Sequence, residues 1–383
     1  MANVKLSNVI RRAQTKVDKD DTDLVFYVGG EHIESENIRV HSRGIIVEST
    51  IGPMFYYGFK AGDFLLVSRN PHLKKAGLVD FDGICSEKTF VLETANSDVL
   101  LPEFLPFVLQ NERFWDYAYR HRHGSTNTFI NWSTLANYEF ELPDLETQRK
   151  LAEVLWSIND TMEAYKNLIS ATDELVKSQF MELFGDPVTN TQGREVRPFK
   201  DFMLDIRYGT SQPPTFSEFG EFKFIRATNI KAGRITENDM LRISADEATK
   251  IEKCRLNGNE IIIVRSGANT GDTCVVTDEY RDQYAGYDII ITLNLEIANP
   301  VFFNELMNTH YMQAIIKPLT VRAAQPHINS EQVQNLPMLV VPLPEQEQFA
   351  AFVRQSDKSK FELEQALAEL NATYKRIIAE NLG

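Results

Sequence analysis

Cysteine is scarce: Cys85, Cys254 and Cys274 are widely spaced, odd in number, and form no Cys-x-x-Cys pair. They suit a reducing cytoplasm better than a disulfide framework. No apolar run approaches the ~20 residues needed to cross a bilayer, and the opening segment Met1 to Ser7 is polar rather than signal-like. The expectation is a cytoplasmic protein with no membrane partner. No Gly-rich loop ends in Lys-Ser or Lys-Thr, which excludes a Walker-type nucleotide site. Asn299-Pro300-Val301-Phe302 lacks the second proline of the adenine-methyltransferase motif, and no Gly-rich cofactor fingerprint precedes it; it reads as a helix start. Glu221-Phe222-Lys223 has a nuclease-like spacing that is common by chance, and no convincing paired Asp precedes it. His121 and His123 stand two apart without the further ligands a metal site needs. The expectation is therefore a chain with no catalytic centre, cofactor or metal.

Basic charge is also in deficit, with 40 Lys and Arg against 54 Asp and Glu and a formal charge of −14. A protein that neutralises many phosphates usually presents a basic face. The deficit argues against a strong grip on nucleic acid by this chain alone, although small basic faces remain compatible with it.

What the chain does contain is a repeat. Residues 126–185 align with 324–383 at an offset of 198: Ile130-Asn131 falls on Ile328-Asn329, Asn137 on Asn335, Gln148 on Gln346, and Ala152 on Ala350. Each copy runs through an apolar strand-like stretch, a proline and an acidic-Gln turn into a long helix. In the first helix the seam is Leu151, Val154, Ile158, Met162, Tyr165 and onward to Leu183; in the second it is Phe349, Val353, Ser356, Lys360, Leu363 and onward to Ile377. Steps of three and four favour long helices packed side by side. The polar Ser356 and Lys360 predict looser or wetter packing, or a contact with another subunit. Strand-like runs after turn signals, Asp63–Val67 and Glu260–Val264, and helical patches Leu101–Tyr119 and Val301–Ile316 fill the two intervening regions. The fold class expected is α/β: domain 1–142, helix 143–185, linker 186–196, domain 197–341 and helix 342–383. The helices would run antiparallel as a coiled-coil spacer in a pseudo-twofold repeat.

This order resembles the specificity subunit of type I restriction–modification systems over essentially the whole chain. The motifs that carry the resemblance are Leu142-Pro143-Asp144-Leu145-Glu146-Thr147-Gln148 and Val341-Pro342-Leu343-Pro344-Glu345-Gln346 before the long helices. Tyr208-Gly209-Thr210-Ser211-Gln212, Arg265-Ser266-Gly267-Ala268-Asn269-Thr270-Gly271 and Gly124-Ser125-Thr126-Asn127 add to them. The first domain lacks counterparts of the Gly-Thr-Ser-Gln and Arg-Ser-Gly segments. The resemblance implies target-recognition domains that each read one half of a split site in double-stranded DNA. It also implies partners: two methyltransferase subunits, and often two restriction (translocase) subunits. A scaffold that reads no DNA would fit the acidic charge but not loops lined with Arg, Asn, Gln and Ser. A nuclease or methyltransferase with fused recognition domains would need a catalytic domain for which no room is left.

Base readout uses Arg on guanine and Asn or Gln on adenine. The candidates in the second domain are Thr210, Ser211, Gln212, Arg226, Asn229, Arg265, Ser266, Asn269 and Gln325. In the first they are Arg69, Asn70, His72, Lys74 and Lys75, followed by Arg120, Arg122, Ser125 and Asn127 beside Tyr117 and Tyr119. The lysines suit phosphate rather than base contact, since a point charge positions without specifying. The competing reading of each loop is a solvated turn.

Overall fold

The computed structural model describes residues 2–186, 190, 192–320 and 326–382. Its contacts divide the chain into two compact units, Met1–Asn167 with Glu364–Gly383, and Leu168–Leu363. Each unit carries the same strand plan. In the first, strands run in the order Ile10–Ala13, Thr89–Thr94, Phe64–Val67, Ala76–Leu78, all antiparallel. In the second the order is Met203–Tyr208, Ile289–Leu293, Ile261–Ile263, Thr273–Val275, again antiparallel. A second sheet in each unit contains one parallel pair, Phe26–Val28 with Gly83–Ser86 and Phe222–Ile225 with Tyr284–Ala285.

Period-two alternation decides what each face of the central sheet buries. Phe64, Leu66, Phe90 and Leu92 join the core shared with the helices, while Leu65, Val67 and Val91 join the core under the second sheet. Ile261, Ile263, Ile289 and Ile291 divide from Ile262, Val264 and Ile290 in the same way. A strand buried on both faces has no polar positions, which is why these runs are uniformly apolar. The predicted helical patches are each two helices. Leu105–Leu109 and Glu112–Arg120 break where Asn111 accepts from the Arg113 amide. Pro300–Asn308 and His310–Thr320 break at Thr309, whose hydroxyl accepts from the Met312 amide. Asn299 caps the former helix by accepting from the Val301 and Phe302 amides, as the helix-start reading requires.

The long helices are Leu145–Phe184 and Leu343–Leu382, 40 residues each, or about 60 Å at the α-helical rise. They run antiparallel within each unit. Ile378 and Leu382 share a core with Ala152 and Leu155; Phe180 and Phe184 share one with Phe349 and Val353. The second seam lies where the repeat puts it, but the first is out of register at its ends. Val154 and Leu183 are exposed, whereas Leu155, Phe180 and Phe184 are buried. The ends of the helix bury against a domain core rather than along a partner helix, so a strict heptad does not govern them. Nor is Lys360 loosely packed: its ammonium sits 2.6 and 2.8 Å from the two carboxylate oxygens of Asp173.

The start of each long helix is fixed by one buried glutamine. Gln148 accepts from the Leu101 amide (3.0 Å) and donates to the carbonyls of Val99 and Pro143, both at 2.8 Å. Gln346 accepts from the Asn299 amide (2.7 Å) and donates to Ile297 (3.0 Å) and Val341 (2.7 Å). Every partner obeys the offset of 198 found in the sequence. Replacing either glutamine with leucine strands one amide and two carbonyls in the interior. Gln148→Leu should cost about 2–4 kcal/mol. In hydrogen exchange of the full chain, the Leu101 amide should lose protection by a matching factor; unchanged protection would show that the glutamine does not hold this junction.

Candidate nucleic-acid interface

In the first unit, the strand Phe64–Val67 delivers Ser68, Arg69 and Asn70 to a shared edge. The Ser68 carbonyl accepts from the Ile130 amide (2.9 Å), and the Asn70 amide donates to the Thr128 carbonyl (2.7 Å). Reciprocal bonds between His123 and Phe129, 2.7 and 2.9 Å, close a hairpin whose turn begins at Gly124 (φ +85°). Arg69 bridges to Phe129. The two basic stretches nominated separately are thus one composite surface. Arg69, His72, Arg120, Ser125 and Asn127 are exposed on it. Asn70 is half-buried in a left-handed conformation, and its side-chain carbonyl accepts from the Thr128 hydroxyl at 3.4 Å. Arg122 lies 3.7 Å over the exposed Tyr119 ring and donates to that residue's carbonyl. Exposed aromatics beside cations suit stacking on bases or sugars as well as charge.

Two of the lysines are otherwise engaged. Lys74 is held by Glu112 (2.7 Å) and Glu36 (3.1 Å). Burial works against its charge, but hydrogen bonds to both carboxylates leave its pKa raised. Lys75 donates to the Gly30 carbonyl at 2.6 Å. Both ammonium groups secure the loop to its own domain, which corrects the expectation that they are free for phosphate.

In the second unit the corresponding edge carries Arg265 and Ser266. The Arg265 carbonyl accepts from the Ile328 amide (2.9 Å), and Ser266 bridges to His327, matching Ser68 with Ile130 and Arg69 with Phe129. Gln325, the offset partner of Asn127, lies outside the described residues. The Tyr208–Gln212 segment runs alongside. A side chain on Gly209 would meet the Gly286 carbonyl at 1.7 Å, so only glycine lets the two loops approach. Thr210 accepts from the Gln212 amide and donates to its carbonyl, leaving Ser211 and Gln212 exposed.

Three other candidates are engaged by the protein's own backbone, and one of them is inaccessible. Asn229 is fully buried, donating to the Asn238 (2.8 Å) and Thr236 (3.3 Å) carbonyls and accepting from the Arg226 amide. It builds the turn and cannot reach a base. The Arg226 guanidinium donates to the Asp239 carbonyl, and Asn269 donates to the Ala227 carbonyl at 3.4 Å. Sequence reasoning missed Tyr208 and Tyr287, whose rings flank Arg265 at 4.6 and 4.2 Å. Their placement next to Gly209 and Gly286, beside a loop already nominated, was the available signal. Among the described residues, no cluster of three or more His, Cys, Asp or Glu could hold a metal ion, and no helix is long and apolar enough to cross a membrane.

Asp288 anchors this edge by accepting from the Arg265 amide at 3.1 Å. Burial pushes its pKa up to about 6, against the pull of that hydrogen bond and of the Arg265 guanidinium. The folded protein therefore keeps a proton that the unfolded chain has already released, and stability falls as pH rises from ~4 to ~6. The loss attributable to Asp288 is about 3 kcal/mol, fully present above that window. Asp288→Asn should remove it, so the difference in unfolding free energy between variant and parent should grow in favour of the variant from pH 4 to 6. A difference independent of pH would contradict the assignment.

Comparison with known proteins places this geometry in context. The profile of the family "Type I restriction modification DNA specificity domain" matches residues 9–171 and 196–372. The specificity subunit of the type I restriction enzyme HindI from Haemophilus influenzae is 26% identical over 132 residues, which take in 33% of this chain and 28% of that protein. A crystal structure of a type I restriction–modification S subunit from M. genitalium is similar over 100% of this chain and 96% of its own, with a TM-score of 0.64 and 12% identity. A structure concerning assembly and conformational transition of the type I R-M system covers 99% of this chain and 97% of its own, with a TM-score of 0.53 and 19% identity. At such identities the structural likeness speaks to the fold.

Proposed function

Because the chain belongs to the type I restriction–modification DNA specificity family, we propose that it is the sequence-reading subunit of such a complex, without a catalytic centre of its own. Each domain, 1–142 and 197–341, reads one half of a bipartite site in double-stranded DNA. The two long helices set the separation of the half-sites and dock the methyltransferase subunits, two per chain, with restriction subunits joining where the system has them. The complex works in the cytoplasm.

The observation that carries this reading is the repetition of one edge in two units. In both, the chain leaving the central strand is bonded through its carbonyl to an isoleucine amide at the repeat offset, Ile130 or Ile328. Different side chains on the same frame give two readers of different sequence. Half-sites on the same face of B-DNA lie ~34 Å apart or at multiples of that distance, and a helical spacer fixes such a distance where a flexible linker does not. Acidic surfaces on the chain suit docking to methyltransferase subunits, which then supply much of the phosphate contact missing here.

The test is to co-express the chain with its methyltransferase subunits and map modified bases across a genome. A split motif with an unread gap is expected, and exchanging residues 1–142 for those of a relative should change one half only. The isolated chain should bind DNA weakly. A continuous motif, or methylation indifferent to deletion of this chain, would overturn the reading in favour of a scaffold that reads no DNA.

A further inference from the structure

The functional reading leaves open which base is read by which residue, and one side chain in the second unit is held differently from the rest. Every other arginine described between positions 197 and 320 donates to a carboxylate or a backbone carbonyl of the protein. Arg265 has no side-chain hydrogen-bond partner among the described residues, and its Nε is buried without one.

The residue is nonetheless tightly placed. It follows the buried strand Ile261–Ile263 and Val264 directly. Its amide donates to the Asp288 carboxylate at 3.1 Å, and its carbonyl accepts from Ile328 at 2.9 Å. Its guanidinium lies 4.6 Å from the centre of the Tyr208 ring and 4.2 Å from that of Tyr287. Tyr208 is itself pinned, its hydroxyl accepting from the Ser330 amide at 2.8 Å. Cation–π contact with two rings restricts a flexible side chain before any ligand arrives.

Building on the functional reading, we propose that Arg265 reads a guanine in the half-site of the second domain, its guanidinium donating to O6 and N7 in the major groove. A planar fork of donors held on a rigid edge fits the two adjacent acceptors of guanine and no other base edge in that groove. A phosphate contact would need only a point charge and gains nothing from two oriented rings. The first domain has no equivalent reader. Its matching residue is Ser68, whose hydroxyl is turned inward to the Lys88 carbonyl at 2.7 Å. The guanine therefore belongs to the half-site that moves with residues 197–341.

The experiment uses the complete complex with its methyltransferase subunits. Methylation rates are measured on duplexes carrying each base in turn at every position of the mapped motif, for the parent, Arg265→Lys and Arg265→Gln. One guanine in the second half-site should lose roughly 10- to 100-fold of its preference in Arg265→Gln and less in Arg265→Lys, whose ammonium still donates to guanine, while discrimination at all other positions stays at the parent level and so reports an intact fold. A second half-site without guanine would overturn the proposal. So would an Arg265→Gln complex that still prefers guanine, or a loss spread evenly over all sequences, which marks a phosphate contact. If the parent shows no split motif at all, the functional reading itself fails and this inference falls with it.

Discussion

The architecture depends on two buried glutamines. A helix that leaves a strand and then runs for 40 residues acts as a spacer only if its first turn is fixed to the domain it leaves. Gln148 and Gln346 fix it by joining the helix start to the chain segment ahead of the domain's short helices, at Val99–Leu101 and Ile297–Asn299. One side chain satisfies an amide and two carbonyls that would otherwise be orphaned in the interior, and the low dielectric there strengthens each bond. Glutamine alone among the side chains both reaches this far and offers a donor and an acceptor at one tip without charge.

The two copies then diverge in how the domain is tied further along its helix. In the first unit Arg39 donates to Asp160 (2.7 Å) and Glu163 (2.8 Å) on the helix and lies over the Trp156 ring. In the second, Arg234 pairs with Asp357, and Lys360 pairs with Asp173 one turn on. At the offset of 198, Lys360 corresponds to Met162 and Asp173 to Asn371. A polar seam position in one half thus corresponds to an apolar one in the other. A partly buried ion pair contributes little net stability, but it penalises any register that separates the partners. The pair therefore specifies how the helices align within the second unit more than it strengthens them.

How far this was legible in the sequence follows from whether neighbours in the chain or across the fold decide each feature. The long helices, the uniformly apolar central strands and the Asn299 cap are set locally, and periodicity found them. The repeat was found because Gln148 and Gln346 keep the same spacing to the same structural partners. The first seam slipped at Val154 because Leu155 answers to a domain core that only tertiary structure supplies. Among candidate contacts, the sequence named loops that lie on corresponding edges of the two units, but it did not show which of their side chains the protein itself engages. Asn229 and Lys74 are polar residues on nominated loops, yet their donors are consumed by carbonyls and carboxylates many residues away. Composition cannot show whether a polar side chain is already satisfied. Tyr287 was missed for the converse reason, since its role comes from the position of Arg265 across the edge.

The same distinction resolves the conflict between a net charge of −14 and a DNA-reading role. Affinity for DNA in general grows with the number of phosphates neutralised, whereas discrimination between sequences depends on a few donors held in fixed geometry. Here Lys74 and Lys75 are bound to the protein's own acceptors, and Arg265 lies between two aromatic rings with no side-chain hydrogen-bond partner among the described residues. Under the proposed function, a chain built this way gains little on random DNA and more on the matching base. A reader that adheres weakly by itself but is clamped by partners spends less time on the vast excess of wrong sites. The acidic surplus then contributes to specificity, because it lowers the non-specific background against which each base contact is measured.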